Sequence, residues 1–179
     1  MKDRGSGVLS TVEISLMSAL TVICSRISVP ASPPVTLQLF AIALSLLLLG
    51  GKRGCASVLL YLAAGAVGLP VWSSFAGGFG HLFSAGGGYL IGFIIGALIY
   101  AALERLLPKR DVIKLGLLII FTIIVYIIGT LWFALVYAPD SVSGILSAIA
   151  VCVLPYVIPD AIKIALAFVI YKRLKGHRG

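Results

Sequence analysis

A chain of 179 residues that is 60% hydrophobic and only 11% charged, with a mean hydropathy of +1.14, is neither a soluble globule nor a disordered tail. A membrane helix needs roughly 17–25 apolar residues, so the length leaves room for one bundle of about six short spans and no second domain. A net charge of +8 could suit nucleic acid. Its carriers, however, flank apolar segments, where anionic lipid or a cytoplasmic protein is the better partner, and no nucleic acid is expected.

Six apolar segments fill the sequence, at 11–29, 35–50, 55–71, 85–103, 115–137 and 145–171. Ser10-Thr11-Val12-Glu13 has the Ser-x-x-Glu form of a capping box, so the first span is predicted to begin near Thr11. It has no small-residue cleavage site and is long enough to remain a span, so no secretory leader is expected. Pro30-Ala31-Ser32-Pro33-Pro34 forbids helix and imposes an extended loop. The second segment stops at Gly50-Gly51-Lys52-Arg53-Gly54, a tight turn, and the third runs from 55 to the neighbourhood of Pro70.

Residues 72–88 hold six glycines together with Trp72, Phe75, Phe79, His81 and Phe83, and no Lys, Arg, Asp or Glu. Such a stretch cannot form a regular helix. At membrane depth irregular backbone survives where protein buries it or a cavity hydrates it, so this tract is expected to line a site; an idle outer loop would be more polar. Gly88, Gly92 and Gly96 follow at every fourth position and offer a groove to a neighbouring helix. The joint 104–114 is long and charged, a solvated turn or a docking surface. The fifth segment is plain and apolar, with Trp132 and Tyr137 near its outer end.

Pro155 and Pro159 are predicted to break the last segment into a short outer or re-entrant helix at 145–153 and a descending helix at 160–174, with Asp160 at the latter's positive end. Asp160 and Lys163 are three apart and share a face. An intramembrane ionisable pair is too costly to face lipid, so it faces the bundle interior. It is either a mutual ion pair locking helices together or the polar floor of an outward-opening pocket. Arg26 likewise has two readings, snorkelling to head groups or ligand binding.

Twelve of the 14 Lys and Arg lie in alternate joints: the N-terminal tail, Lys52-Arg53, the run from Arg105 to Lys114 and the tail from Lys172. The positive-inside rule then makes both termini cytoplasmic and turns the joints 30–36, 72–84 and 138–144 outward. Cys24, Cys55 and Cys152 are isolated in apolar stretches and read as small core residues, so no metal is expected. The two histidines, one of them in the tail, and the lack of a nucleophile in a recognisable setting give an intramembrane enzyme little support; no catalytic residue is assigned. No phosphate-binding Gly-x-x-x-x-Gly-Lys-Ser/Thr occurs, so energy must come from another subunit.

Pro34-Val35-Thr36-Leu37-Gln38, Gly50-x-x-Arg53-Gly54, Tyr61-Leu62-x-x-Gly65-x-x-Gly68-Leu69-Pro70-Val71, Gly87-Gly88-Tyr89-Leu90-x-Gly92-Phe93 and Pro155-x-x-x-x-Asp160-x-x-Lys163 together resemble the BioY family. These are the biotin-specific substrate-binding S components of energy-coupling factor (ECF) vitamin transporters. The resemblance implies an all-α integral membrane fold, a six-helix bundle forming one transmembrane substrate-binding domain over 1–179. It also implies residence in a prokaryotic plasma membrane, no resident cofactor, and assembly with a membrane T component and two cytoplasmic ATPase subunits. Asp160 and Lys163 match the family's polar ligand residues, Tyr89 lies in the Gly-Gly-Tyr motif, and Thr36 and Gln38 belong to the lid loop. Phe75, Gly78 and Phe79 are added as pocket residues from the glycine-aromatic tract. Ser15 and Ala19, spaced by four, mark where a T-component helix approaches; the family's usual pair there is two alanines. Biotin has a ureido ring, an apolar thioether ring and an anionic tail, which suit an aromatic pocket with one acid and one base. An S component for another small vitamin, a membrane enzyme or a structural membrane protein are the alternatives, and a binder differs from an enzyme in yielding no product.

Overall fold

A computed structural model describes residues 2–29, 35–108, 110–137, 149–150 and 152–176. Five helices carry the architecture: α1 (Lys2–Arg26), α2 (Gln38–Ala66), α3 (Gly87–Leu106), α4 (Asp111–Tyr137) and α5 (Leu154–Gly176). Each is long and apolar enough to cross a membrane. Exposed Ile119, Ile120, Ile123, Ile127 and Leu131 give α4 a lipid-suited outer face. The predicted proline loop at 30–34 and most of the predicted 145–153 helix lie outside the described residues.

Helix α1 begins earlier than its capping box predicts. Ser10 is inside the helix, and the Thr11 hydroxyl donates back to Gly7 O at 3.1 Å. Glu13, freed from any capping role, pairs with Arg53 at 3.2 Å. After α1 a small antiparallel pair of strands, β1 (Ser28–Val29) and β2 (Val35–Thr36), sets Ser28 opposite Thr36.

Helix α2 is two arms. Gly50, at φ 76° and ψ 167°, is not helical, and glycine adopts this backbone without strain. The chain folds back there: a Cβ on Gly54 would lie 2.8 Å from Leu46 Cα. The turn expected over 50–54 is therefore a sharp reversal at one residue. α2 packs against α1, α3 and α5 and supplies much of the core, with Ile42, Leu46, Leu47, Val58 and Tyr61 fully buried.

The glycine ridge of α3 faces α4. A Cβ at Gly88 would stand 2.2 Å from Trp132 Cβ, at Gly92 3.1 Å from Val125 Cα, and at Gly96 2.7 Å from Phe121 Cδ2. Removing three side chains lets the two helices approach closely, as the four-residue spacing predicts. Between α2 and α3 the chain is irregular, with 3-10 turns at Ser73–Phe75 and Phe79–Phe83.

The last segment departs from its prediction. α5 starts at Leu154, so Pro155 sits in the first turn, where a missing N–H costs little, and the helix continues through Pro159. Asp160 is the seventh residue of α5 and not at its positive end.

At one end of the bundle the charged residues converge. Glu104 accepts the backbone N–H of Gly51 and pairs with Lys114 at 3.4 Å, while Lys114 also donates to Leu47 O at 3.4 Å. A carboxylate thus meets the start of the second arm of α2 and an ammonium the end of the first, the signs that the two helix dipoles favour. Lys175 pairs with Asp111 at 2.8 Å beside them.

Candidate functional site

The opposite end holds a cavity of about 430 Å³, within the range of about 300–1,000 Å³ usual for small-molecule sites. It opens among the β1–β2 pair, the start of α2, the glycine-aromatic tract, the start of α3, the middle of α4 and the start of α5. Helix α5 contributes its base. Asp160 and Lys163, one turn apart, face inward at 7% exposure each. Lys163 Nζ donates to Asp160 Oδ1 at 2.6 Å, and Tyr126 OH, reaching from α4, donates to Oδ2 at 2.6 Å. Both carboxylate oxygens are thereby engaged. Among the described residues one of the three Lys163 N–H donors is used, so the ammonium keeps capacity for a ligand.

The walls are aromatic. Tyr89 lies on α3, its ring pressed where Gly129 of α4 has no Cβ, and its hydroxyl donates to Cys152 O at 3.1 Å. Trp72 is seated against the bare Cα of Gly65, where an added Cβ would fall 2.2 Å from the indole, and it stacks on His81 at 5.4 Å between ring centroids. Burial depresses the His81 imidazole below its ordinary pKa, so the ring facing the cavity is neutral near pH 7. Phe93 and Tyr156 complete the apolar lining.

Three polar groups on this lining are buried with no hydrogen-bond partner among the described residues: Gln38 Nε2, Trp72 Nε1 and Ser84 Oγ. Unsatisfied buried donors are costly; among the described residues Ser45, Ser57, Tyr61, Tyr100 and Thr130 are buried in the same way off this lining, and the three on it are those that a polar ligand in the cavity would relieve. The Thr36 hydroxyl is turned towards its own chain and accepts the Gln38 backbone N–H at 3.3 Å.

Of the residues singled out from sequence, Asp160, Lys163, Tyr89, Thr36 and Gln38 meet in this cavity. Phe75, Gly78 and Phe79 lie outside its lining, with Phe75 71% and Phe79 65% exposed. Ser15 and Ala19 are exposed on the outer face of α1, away from the cavity. Arg26 points back to the chain, donating to Pro70 O and lying over the Phe75 ring. Sequence reasoning missed Tyr126 and Tyr156; Trp72, His81 and Ser84 lie in the tract expected to line a site but were not singled out as ligand residues. The signal for Tyr126 was a phenol in the middle of the apolar run Ile123-Ile124-Val125-Tyr126-Ile127-Ile128, where a hydroxyl needs a partner.

The model of the BioY family matches residues 1–178. A probable biotin transporter BioY of Pyrococcus horikoshii is 39% identical over 165 residues, which cover 92% of this chain and 94% of that one. The biotin transporter BioY of Thermotoga maritima is 36% identical over 172 residues, again 92% and 94%. In fold the chain is similar to the crystal structure of an S-component for biotin from an ECF-type ABC transporter, with a TM-score of 0.81 at 24% identity, covering 96% of this chain and 93% of the other.

Proposed function

The chain belongs to the BioY family, and we propose that it is the biotin-binding S component of an ECF importer in a prokaryotic cell membrane, holding biotin in the cavity floored by Asp160, Lys163 and Tyr126. It belongs to a transporter family and is not an enzyme. The observation that carries the reading is the coincidence, in one cavity of about 430 Å³, of a coupled acid and base with buried donors that have no hydrogen-bond partner among the described residues.

Biotin's chemistry supplies what those groups need. Its two ureido N–H groups suit the Asp160 carboxylate, and its ureido carbonyl or its valerate suits Lys163 and the donors of Gln38, Trp72 and Ser84 that have no partner among the described residues. Its apolar bicyclic body fits between Trp72, Tyr89 and Phe93. The Tyr89 hydroxyl proton is committed to Cys152 O, which leaves its ring and its oxygen lone pairs to meet the ligand. Thr36 positions Gln38 at the lid side. Phe75, Gly78 and Phe79 lie outside the lining and are assigned no contact with the ligand.

The two arms of α2 count as separate crossings, which gives six with α1, α3, α4 and α5, one transmembrane substrate-binding domain over 1–179. Both termini and the charged end with Glu104 and Lys114 then face the cytoplasm, by the positive-inside rule. That face is suited to a cytoplasmic module, here two ATPase subunits, and the exposed small residues Ser15 and Ala19 of α1 to close approach by a membrane T component.

The test is calorimetric titration of purified protein with biotin and, separately, with riboflavin and thiamine. One-to-one binding of biotin alone is the expected result. Binding of another vitamin and not biotin would replace the ligand.

A further inference from the structure

Resting on the reading that the cavity holds biotin, we propose that Arg26 is a positioning residue: by clamping Phe75 it holds the Ser73–Phe75 turn against the cavity and so sets how fast ligand enters and leaves.

The last turn of α1 is fastened to the stretch after α2 at three places. Ser25 Oγ donates to Val71 O at 2.6 Å, the Arg26 guanidinium donates to Pro70 O, and the same guanidinium lies 4.0 Å from the centroid of the Phe75 ring. An arginine at a membrane helix end ordinarily extends towards head groups. This one turns back onto the protein.

What it touches is a turn in an unfavourable shape. Ser74 and Phe75 have φ of 57° and 59°, the left-handed region that side-chain-bearing residues avoid. Such a backbone persists only where surrounding contacts hold it. Packing of the Phe75 ring into a core does not supply that hold, because Phe75 is 71% exposed. Two backbone bonds close the turn, Trp72 N–H to Ala76 O at 3.0 Å and Ala76 N–H to Ser73 O at 3.2 Å, and the stacked cation holds the Phe75 side chain at its apex. Before the turn, Trp72 is seated on Gly65; after it, the Gly78 N–H donates to Gly65 O at 2.7 Å. The turn is a strap between two anchored points with Arg26 at its apex, and Ser73 and Ser74 in it form cavity wall.

The first arm of the test needs no ligand. Ser73→Cys is reacted with a water-soluble maleimide, against protein without that substitution to subtract the buried native cysteines. Arg26→Gln should accelerate the reaction by roughly tenfold, the scale of a lost cation–π contact together with a hydrogen bond from a charged group. In protein with native Ser73, the same substitution should speed biotin dissociation by a similar factor. Arg26→Lys, which keeps a cation over the ring, should recover part of the effect. Ser74→Gly added to Arg26→Gln should recover part of the slow release, because glycine takes one of the two left-handed positions freely, with the Ser74→Gly single variant reporting any direct loss of contact. A purely structural role would lower thermal stability and leave these rates and the glycine rescue unmoved. Wild-type labelling or wild-type release in folded Arg26→Gln protein overturns the proposal. Failure of the parent protein to bind biotin, with labelling still accelerated by Arg26→Gln, would keep the clamp on the cavity wall and remove biotin as its ligand.

Discussion

Asp160 is held by Lys163 Nζ and Tyr126 OH, each at 2.6 Å, at 7% exposure. Replacing it with Asn separates a pair that serves itself from a pair that serves a ligand. The amide oxygen can still accept from Tyr126, but the amide N–H₂ then meets the Lys163 ammonium, donor against donor. If Asp160 and Lys163 serve only each other, the loss leaves an uncompensated buried cation at a cost of about 3–5 kcal/mol in stability, while the folded fraction binds biotin normally. If Asp160 also accepts a ureido N–H, a further hydrogen bond to a charged group is lost, worth about 1.5–3 kcal/mol, or roughly ten- to a hundredfold in Kd. The double variant Asp160→Asn with Lys163→Met removes the orphaned charge. Thermal unfolding in detergent and calorimetric titration with biotin are read on both variants. Restored stability with biotin binding still weakened more than tenfold is the expected result. Biotin affinity equal to wild type in the folded double variant would refute the assignment and leave Trp72, Ser84 and the rest of the glycine-aromatic tract as the binding groups.

Gly88→Ala should lower the unfolding temperature more than Gly92→Ala, since its Cβ would fall 2.2 Å from Trp132 Cβ against 3.1 Å from Val125 Cα; overpacking of this kind costs about 1–3 kcal/mol, and unchanged stability would place the ridge against lipid. A cysteine at exposed Ser74 should react with an impermeant reagent in intact cells and one at exposed Lys52 only after lysis; labelling of Lys52→Cys in intact cells would invert the orientation. His81 gives a pH signature. Its folded pKa lies below the ordinary 6.5, so above that value both states are neutral and it contributes nothing, whereas below it the unfolded chain takes up the proton more readily and stability falls. His81→Phe should flatten the unfolding temperature between pH 7 and pH 5 as a scanning measurement reads it, and an unaltered slope would assign that dependence to another group.

Much of the site could be read before any coordinates. Asp160 and Lys163 stand out because ionisable groups in an apolar run must turn inwards, and residues 72–88 because glycine and aromatics without charge suit neither helix nor solvated loop. Other parts could not be read. Ser10 and Glu13 match a capping box by spacing alone, but the helix had begun upstream and Glu13 found Arg53, a partner 40 residues away. Pro159 reads as a breaker, yet α5 runs through it and leaves Asp160 stabilised by Lys163 and Tyr126 in place of a helix dipole.

Along the chain, hydropathy, the sign of the charges between segments and the four-residue spacing of Gly88, Gly92 and Gly96 determined the membrane class, the expected orientation and one helix contact, because each is a property of neighbouring residues. Tertiary structure decided which side chains meet. Tyr126 reaches Asp160 and Trp72 fills the space beside Gly65 because particular helices cross at particular heights, while Phe75 and Phe79 face outward because the turns at Ser73–Phe75 and Phe79–Phe83 aim them there. Those directions depend on backbone placed by packing over long separations, and no local pattern of residues carries them.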